Sequence, residues 1–376
     1  MRILFVCEYY RPHIGGVELV FERLAGGLAR RGHLCDVVTC RLPGTPAYEE
    51  IDHVRVHRVR VPRSGDRYWF TALALGKVLQ LARKADLIHT TTFNGAFPAW
   101  LASKVLRRKC VVTVHEVWGP MWKIMGNMNI VSARLHQFVE RAILALPFDR
   151  YACPSSYTRD RLRAYGIRAG KSVVVHNGID LDIFDPGKAD GDRVRRDLGL
   201  GDAFVYLYYG RPGTSKGMEY LVRAVPMIRQ RIPNSRLLLI LSHKPEDGYK
   251  NTLRLISDLG IDGTVSLLDA LPGPDLVDYI AAADCVVVPS LSEGFSLTTA
   301  EACAMDRPVV ASNVTAIPEV ISGRYVLVEP RSAEAIAEGV GRVYSGTVEV
   351  AERKEFSWDR CIDGYLELYS DTVCMR

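Results

Sequence analysis

The chain has 376 residues and a mass of 41.9 kDa, which is long for one domain and comfortable for two. It is 48% hydrophobic and 24% charged, and it lacks low-complexity segments and short-period repeats. No segment approaches the roughly 20 apolar residues of a spanning helix, and the apolar run Met1–Cys7 is too short for a signal peptide. We therefore expect a cytoplasmic protein that does not cross a membrane.

The nine cysteines are scattered and none forms a Cys-x-x-Cys pair, so a zinc or redox site is not expected.

Charge is distributed unevenly along the chain. Residues 1–180 carry 27 Lys and Arg against 14 Asp and Glu, a net charge of +13, whereas the remainder carries a net charge of −8. Such asymmetry suggests that the first half meets an anionic surface or substrate. A solvated charged face explains it equally well. The basic positions cluster at Arg55, Arg58, Arg60, Arg63 and Arg67, and again at Arg107, Arg108 and Lys109.

Strand-like and helix-like segments alternate through the first half, which is typical of parallel α/β architecture. Strands are predicted at residues 3–7, 37–40, 54–61, 87–90, 110–115, 151–154 and 173–176. Helices are predicted at residues 17–30, 70–82, 97–106, 135–145 and 156–165. This pattern predicts one Rossmann-like domain over residues 1–180.

A second α/β series follows the turn-rich linker Asn177–Gly187. Its strands are predicted at residues 204–209, 236–241, 265–268, 285–288 and 309–311, and its helices at 218–230, 250–259, 276–282 and 298–305. We therefore predict a second Rossmann-like domain over residues 181–357. The simplest architecture is two doubly wound parallel sheets facing each other across a cleft, with ligands between them.

A glycine pair, Gly15 and Gly16, follows the first strand and opens a helix. Glycines there allow close backbone approach at the positive end of the helix dipole. A dinucleotide-binding loop is excluded, because the Gly-x-Gly-x-x-Gly spacing is absent and the second strand ends without an acidic residue.

His115 lies at the end of another predicted strand. It could hydrogen-bond a sugar hydroxyl, although a lone histidine is more often structural. Asp180 and Asp182 match Asp-x-Asp, but they lie in the linker, where turn-forming aspartates are expected.

The loop Tyr208–Gly217 places two cations, Arg211 and Lys216, between a strand and a helix. A guanidinium fork and an ammonium could together neutralise a diphosphate. The loop is not a Walker A loop, because Lys216 lacks the preceding glycine and the following Ser or Thr. The alternative is a pair of solvated loop cations.

Glu293 and Glu301 stand eight residues apart where a loop turns into a helix after a buried strand. Ser296 is the predicted N-cap, and Glu301 falls in the second turn. The amides of Phe295 to Thr298 would then be available to an anion at the helix N-terminus. Ionised carboxylates accept hydrogen bonds from hydroxyls, so the pattern favours a ligand with both phosphate and sugar groups. Acidic residues also favour first turns for dipole reasons alone.

These motifs, taken in order, resemble the retaining family-4 glycosyltransferases of the GT-B fold nearly end to end. The resemblance rests on five segments and on the final helix, residues 358–376, which in that family crosses back to the first domain. The segments are Gly15–Glu18, Val174–Asp180 (with His176 where proline is usual), Gly210–Gly217, Leu267–Pro272 and Glu293–Glu301. One departure is Thr315-Ala316, where the family commonly carries two glycines beside the donor site.

The resemblance implies a role for each matching residue. Gly16, Arg211, Lys216 and the amides of Leu297 and Thr298 would bind the donor's phosphates. Glu293 and the amides of Gly294, Phe295 and Ser296 would hold the sugar, with His115 near the reacting centre. Glu301 would bind the ribose, and the loop at Leu268 would contact the base. The donor would be a nucleotide diphosphate sugar, most simply UDP- or GDP-linked, and neither a cofactor nor a metal would be required.

The sequence carries fewer features that indicate where the acceptor binds. Trp118–Ile130 carries two tryptophans, three methionines and a lysine, which predicts an interfacial segment that admits a lipid-linked acceptor at an anionic membrane. The alternative is a helix that packs its Trp and Met side chains inward. Two rival functions also stay open: a GT-B sugar-nucleotide epimerase or hydrolase, and a catalytically silent nucleotide-sugar-binding protein. Nucleic acid is not an expected partner.

Overall fold

The computed structural model describes residues 1–13, 15–126 and 128–375, and the chain divides into two compact units. Unit 1 consists of Met1–Pro120, Val131–Gly178 and Phe356–Arg376. Unit 2 consists of Met121–Ile130 and Ile179–Glu355. Each unit is an α/β structure with its own sheet.

Unit 1 contains an eight-stranded sheet with the order β3-β4-β2-β1-β5-β6-β7-β8 among the described residues. All neighbours are parallel except β3 and β4. The strands are β1 Arg2–Val6, β2 Leu34–Cys40, β3 Tyr48–Ile51, β4 Val54–Val59, β5 Leu87–Thr91, β6 Lys109–Thr113, β7 Arg150–Cys153 and β8 Ser172–Val174. The helices of the same stretch of chain are α1 Gly16–Arg30, α2 Asp66–Leu73, α3 Leu75–Ala82, α4 Ala96–Leu106, α5 Trp122–Met125 (which belongs to unit 2), α6 Ile130–Leu144 and α7 Ser156–Ala164.

Unit 2 contains a seven-stranded sheet with the order β11-β10-β9-β12-β13-β14-β15, parallel except for β14 and β15. Its strands are β9 Phe204–Gly210, β10 Ser235–Leu241, β11 Val265–Asp269, β12 Cys285–Val288, β13 Val309–Ser312, β14 Gly323–Val328 and β15 Glu349–Ala351. The remaining helices are α8 Gly191–Asp197, α9 Met218–Arg231, α10 Glu246–Asp258, α11 Gly273–Ala282, α12 Leu297–Ala304, α13 Ile317–Val320, α14 Ala333–Tyr344 and, in unit 1, α15 Trp358–Cys374.

The central strands are apolar on both sides, as expected for a parallel sheet that is covered on both faces. Successive side chains of a strand point to opposite faces. On β1, Leu4 and Val6 join one hydrophobic cluster, whereas Ile3 and Phe5 join the other. The strands β9 and β10 of unit 2 divide their side chains between two clusters in the same way. This two-sided burial explains the near-continuous apolar runs by which the strands were predicted.

The C-terminal helix α15 is part of the core of unit 1. Its Tyr365 and Tyr369 are fully buried, and both join a hydrogen-bonded chain through His89. The Tyr369 hydroxyl lies 2.6 Å from His89 Nδ1, and His89 Nε2 lies 2.7 Å from Thr113 Oγ1, which lies 2.8 Å from the Tyr365 hydroxyl. Gly27 of α1 allows this packing, because a Cβ there would lie 2.2 Å from Ile362 Cδ1.

Several predicted elements differ from the structure. The helix predicted over residues 70–82 begins at Asp66 and is divided at Ala74, and the strand predicted over 110–115 ends at Thr113. Strand β3 was missed because Tyr48–Ile51 is a short edge strand with two glutamates. Helices α8, α13 and α14 and strands β14 and β15 were also not predicted, whereas the final helix, predicted over residues 358–376, is observed as α15. Eight of the nine cysteines are buried, and all nine are free.

The predicted basic cluster is not one surface patch. Arg58 is buried and paired with Glu49, and Arg55 Nη2 binds Asp36 Oδ2 at 2.7 Å. Both arginines therefore serve the fold of unit 1, whereas Arg60, Arg63 and Arg67 are exposed. Within the described residues, no helix combines the length and the apolar character needed to span a bilayer.

Candidate functional site

The loop after β9 holds the two predicted cations. Arg211 is exposed, and its carbonyl accepts a hydrogen bond from the Tyr208 hydroxyl at 3.0 Å. The loop then turns through Thr214–Lys216 into α9. Gly217 makes this turn possible, because its φ is +66° and a Cβ there would lie 1.8 Å from the Pro289 carbonyl oxygen. The loop is thus pressed against the end of the neighbouring strand β12.

Glu293 lies in the loop after β12 and is bound from several sides. Lys216 Nζ lies 2.7 Å from Glu293 Oε1, and the Ser290 hydroxyl donates to the same oxygen at 2.7 Å. The backbone N–H of Glu293 donates to Thr315 Oγ1 at 2.9 Å. The two loops are also joined through their backbones, since the Leu291 N–H donates to the Ser215 carbonyl at 2.7 Å. The predicted residues Lys216 and Glu293 therefore form one cluster.

Ser296 occupies the predicted N-cap position of α12, but it does not cap the helix with its side chain. Its φ is +78°, and its hydroxyl lies 2.8 Å from Thr299 Oγ1. An N-cap normally has extended backbone and accepts from the second or third amide of the helix. No side-chain cap hydrogen bond is found at this end of α12 within the described part of the chain. The first amides, those of Leu297 and Thr298, are not taken by the Ser296 hydroxyl.

Glu301 lies in the second turn of α12 and is half-buried. Burial raises the pKa of its carboxyl to about 7, although the Tyr209 hydroxyl that it faces opposes this shift. The same hydroxyl donates to the Thr298 carbonyl at 3.1 Å. Glu301 is therefore poised between its neutral and its charged form near neutral pH.

Thr315 holds a backbone conformation that suits glycine. Its φ is +48°, which is unfavourable for a β-branched residue. The Thr315 hydroxyl accepts the Glu293 N–H, and the Ala316 N–H donates to the Glu293 carbonyl at 3.4 Å. The strained Thr315 and its neighbour Ala316 thus bind the backbone N–H and the backbone carbonyl of Glu293. The sequence flagged the departure from two glycines but did not predict this contact.

Two other residues of unit 2 that were predicted to bind the donor, Phe295 and Leu268, lie outside the Lys216–Glu293 ion pair. Phe295 is only 3% exposed, so a ligand would meet its backbone rather than its ring. Leu268 lies on the edge strand β11, opposite Ile240 of β10. Ser290 and Tyr209 were not predicted, because a hydroxyl at the end of a buried strand carries no distinctive spacing.

Unit 1 places Gly16 at the first position of α1 and His115 two residues beyond β6. A Cβ on Gly16 would meet no atom within 4 Å. His115 is half-buried, and its Nε2 has no hydrogen-bond partner among the residues that the structure describes. Burial lowers the pKa of His115 to about 4, although the nearby Glu18 carboxylate opposes the shift. The ring is therefore neutral at pH 7 and suited to hydrogen bonding rather than to carrying charge.

The segment Trp118–Ile130 follows the inward-packing alternative in part. Trp122 and Met125 are buried, whereas Lys123 and Ile124 are exposed; Asn127 lies outside the described residues. Helix α5 of this segment packs beside Thr214–Lys216 in unit 2. Ile124 lines a cavity of about 460 Å³ there, together with Gly213, Arg254 and Arg331.

Two other predicted features can be placed. The Asp180 carbonyl accepts the N–H groups of Ile183 and Phe184, so this aspartate belongs to a turn, as expected. No group of three or more His, Cys, Asp or Glu residues that could hold a metal ion occurs in the described ranges.

Two family models match the chain. A model described as Glycosyltransferase Family 4 matches residues 14–183, and one described as Glycosyl transferases group 1 matches residues 203–346. An uncharacterized glycosyltransferase of Methanocaldococcus jannaschii is 30% identical over 98% of both chains. A D-inositol 3-phosphate glycosyltransferase of Catenulispora acidiphila is 32% identical over 96% of this chain and 91% of its own.

Solved structures share the fold over the whole chain. Sucrose-phosphate synthase from Thermosynechococcus elongatus superimposes with a TM-score of 0.80 at 23% identity, over 98% of both chains. Anabaena HepE in complex with UDP-glucose gives a TM-score of 0.76 at 21% identity, over 99% of this chain and all of its own. The predicted GT-B fold, with a Rossmann-like sheet in each unit, is thereby confirmed.

Proposed function

The chain belongs to the family-4 glycosyltransferases, and we propose that it transfers a sugar from a nucleotide diphosphate sugar to an acceptor hydroxyl with retention of configuration. The observation that carries this proposal is the cluster at the carboxyl edge of the sheet in unit 2. There Lys216 and Glu293 are paired at 2.7 Å, beside Arg211 and the N-terminus of α12. Cations and helix amides favour phosphate, and carboxylates favour hydroxyls.

The diphosphate of the donor is assigned to Arg211, Lys216 and the amides of Leu297 and Thr298. The exposed Arg211 offers a guanidinium fork, and Lys216 offers a point charge. The positive end of the α12 dipole adds to both. UDP is the first nucleotide to test, since HepE was crystallised with UDP-glucose.

The sugar and the ribose are assigned to the two glutamates. Glu293, with the amides of Gly294 to Ser296, would hold the sugar hydroxyls, and Glu301 would accept from the ribose in its charged form. Leu268 is assigned to the base. In unit 1, Gly16 is assigned to a phosphate, and the neutral ring of His115 to a sugar hydroxyl.

In the proposed reaction the acceptor oxygen attacks the anomeric carbon on the same face of the sugar from which the leaving group departs. The bond from that carbon to the phosphate oxygen breaks, and the departing phosphate takes the acceptor's proton. The products are a glycoside of unchanged configuration and a nucleoside diphosphate. The developing charge on the phosphate would be stabilised electrostatically by Arg211, Lys216 and α12. No step is assigned to a metal ion.

For the acceptor we propose a lipid-linked or membrane-associated hydroxyl, reached by the enzyme as a peripheral protein at the cytoplasmic face. The excess of basic residues in the first half of the chain supports an anionic surface as partner. D-inositol 3-phosphate is the soluble acceptor to test beside it, because it is the one named for the Catenulispora acidiphila relative.

The test is release of nucleoside diphosphate from UDP-, GDP- and ADP-sugars, with and without each acceptor and with a chelator present. We expect release with one donor class, loss of it in Glu293→Gln, and a product with the donor's anomeric configuration by NMR. An inverted product would overturn retention, and inhibition by the chelator would overturn metal independence. Wild-type protein that releases no more than Glu293→Gln with every donor would overturn the enzyme proposal.

A further inference from the structure

Helix α6 of unit 1 carries its apolar face toward solvent. Val131, Leu135 and Phe138 are 75%, 59% and 68% exposed. They are spaced by four and three residues, so they form one stripe along the helix. The buried side of α6 instead contains Ala133, Glu140 and Leu144. An amphipathic helix normally has the reverse arrangement, so the outward stripe needs a partner.

Helix α2 continues this apolar surface. Tyr68, Trp69 and Leu73 are 60%, 52% and 46% exposed, and Phe70 is the residue of α2 that is buried. The Tyr68 hydroxyl lies 3.4 Å from His136 Nε2 of α6. His136 Nδ1 lies 2.8 Å from the Ser132 carbonyl, so Nδ1 donates there and Nε2 accepts from Tyr68. The two helices therefore present adjacent apolar stripes, which we call the α2–α6 face.

The exposed charges of the α2–α6 face are all positive. They are Arg67, Arg134 and Arg141. The two acidic residues of these helices point elsewhere. Asp66 Oδ1 accepts from the Tyr9 hydroxyl at 2.9 Å and from the Arg67 N–H at 2.8 Å. Glu140 is buried and accepts the Gly119 N–H at 3.0 Å.

We propose that the α2–α6 face docks on an anionic lipid surface, with the apolar stripes inserted at the headgroup level and the arginines on lipid phosphates. Exposed apolar patches of this kind mark interaction sites. Tyr and Trp with flanking arginines are typical of a membrane interface. A second copy of the chain fits less well, because its arginines would repel those of the first. The α2–α6 face would be the surface by which the enzyme reaches the membrane-associated acceptor proposed above. Its assignment rests on that acceptor but not on the transfer chemistry.

The α2–α6 face differs from the membrane contact that the sequence predicts. The sequence placed it in Trp118–Ile130, but Trp122 and Met125 of that segment are buried. The α2–α6 face begins where that segment ends, at Val131 on α6, and it draws its aromatic residues from α2.

The test is co-sedimentation of the full chain with vesicles of phosphatidylcholine alone and of phosphatidylcholine mixed with phosphatidylglycerol. We expect binding to the anionic vesicles that weakens with salt. The double variant Leu135→Ser/Phe138→Ser should bind roughly tenfold more weakly or worse, since two large apolar side chains are lost. Arg134→Gln should bind about fivefold more weakly and with a smaller salt dependence. Val105→Ser is the matched control, because Val105 is 62% exposed on α4 of the same unit.

Thermal unfolding checks that the variants are folded. We expect them to fold, because the substituted residues are exposed. Binding that ignores lipid charge and salt, or a double variant that binds like Val105→Ser, would overturn the proposal. If the wild-type chain binds no vesicles but forms a dimer that the double variant does not form, the α2–α6 face is instead an interface between two copies of the chain. Nucleotide-sugar turnover is measured in parallel with each of the donors and acceptors named for the proposed function. Docking without turnover refutes the proposed function alone, and turnover without docking refutes this inference alone.

Discussion

Lys216 Nζ lies 2.7 Å from Glu293 Oε1, so the loop after β9 and the loop after β12 are joined by an ion pair across 77 residues of sequence. Both side chains are largely shielded, at 29% and 11% exposure. Glu293 keeps a second partner in the Ser290 hydroxyl. The pair thus holds the two loops in a fixed relative position, which is the preorganisation that electrostatic catalysis requires.

Replacing Lys216 by methionine should lower both stability and activity. Glu293 would keep the Ser290 hydroxyl but lose its counter-charge, so we expect the free energy of unfolding to fall by about 1–2 kcal/mol. Loss of a cation at the leaving group should lower kcat by about 100-fold. Denaturant unfolding and turnover measure the two effects.

The control for this variant is Lys250→Met, which removes the exposed partner of Glu246 on α10 and should cost less than about 0.5 kcal/mol. Adding Glu293→Gln to Lys216→Met should restore stability without restoring turnover. A double variant as unstable as the sum of the single variants would show that the two residues do not act as a pair.

Short-range features of this site were predictable from sequence. Strand β12 was predicted at its observed bounds, because Cys285–Val288 is a continuous apolar run between Asp284 and Pro289. Ser296 was predicted at the start of α12 from the usual residue preferences of helix ends. Its left-handed backbone was not, since serine at an N-cap is ordinarily extended.

Long-range features were not predictable. Lys216 meets Glu293 because β12 pairs with β9 rather than with β11, the strand before it in sequence. The contact between Thr315 and Glu293 likewise depends on how two loops approach. The outward apolar stripe of α6 ran against expectation, because a helical apolar period is normally assigned to a core. The roles proposed for the site residues remain predictions that ligand binding must test.

Replacing Gly16 by alanine should separate stability from function. The added Cβ meets no atom within 4 Å, and alanine is favoured over glycine in helices by up to about 1 kcal/mol. The free energy of unfolding should therefore be unchanged or slightly raised. If Gly16 lies beside a donor phosphate, KM for the donor should rise about tenfold or more. Gly76→Ala in α3, where a Cβ also meets nothing, should keep the wild-type KM. Equal KM values in the two variants would contradict the role of Gly16.

Substitutions at Thr315 should distinguish its strain from its hydrogen bond. Thr315→Ser keeps the acceptor for the Glu293 N–H and should retain activity. Thr315→Ala keeps φ near +48° without that bond, so we expect a loss of about 1 kcal/mol of stability and a several-fold rise in donor KM. Thr315→Gly loses the bond but relieves the strain, and it should be more stable than Thr315→Ala by about 1 kcal/mol. Alanine and serine variants with the same KM would show that the Thr315 hydroxyl does not position Glu293.

The carboxyl of Glu301 should make donor binding depend on pH near neutrality. Burial raises its pKa from 4.5 to about 7, so the charged form that accepts hydroxyl hydrogen bonds is gained as pH rises through 7, and donor affinity should rise with it. The native state binds more protons than the unfolded state between pH 4.5 and 7, so this group makes the free energy of unfolding fall as pH rises across that window. Donor binding at pH 7 should release a proton, which titration calorimetry in buffers of different ionisation enthalpy detects. Glu301→Gln should abolish the proton release and the pH dependence of donor binding, and it should remove this group's share of the pH dependence of unfolding. Glu246→Gln on the exposed side of α10 should leave all three unchanged. Proton release that persists in Glu301→Gln would assign the titration to another group.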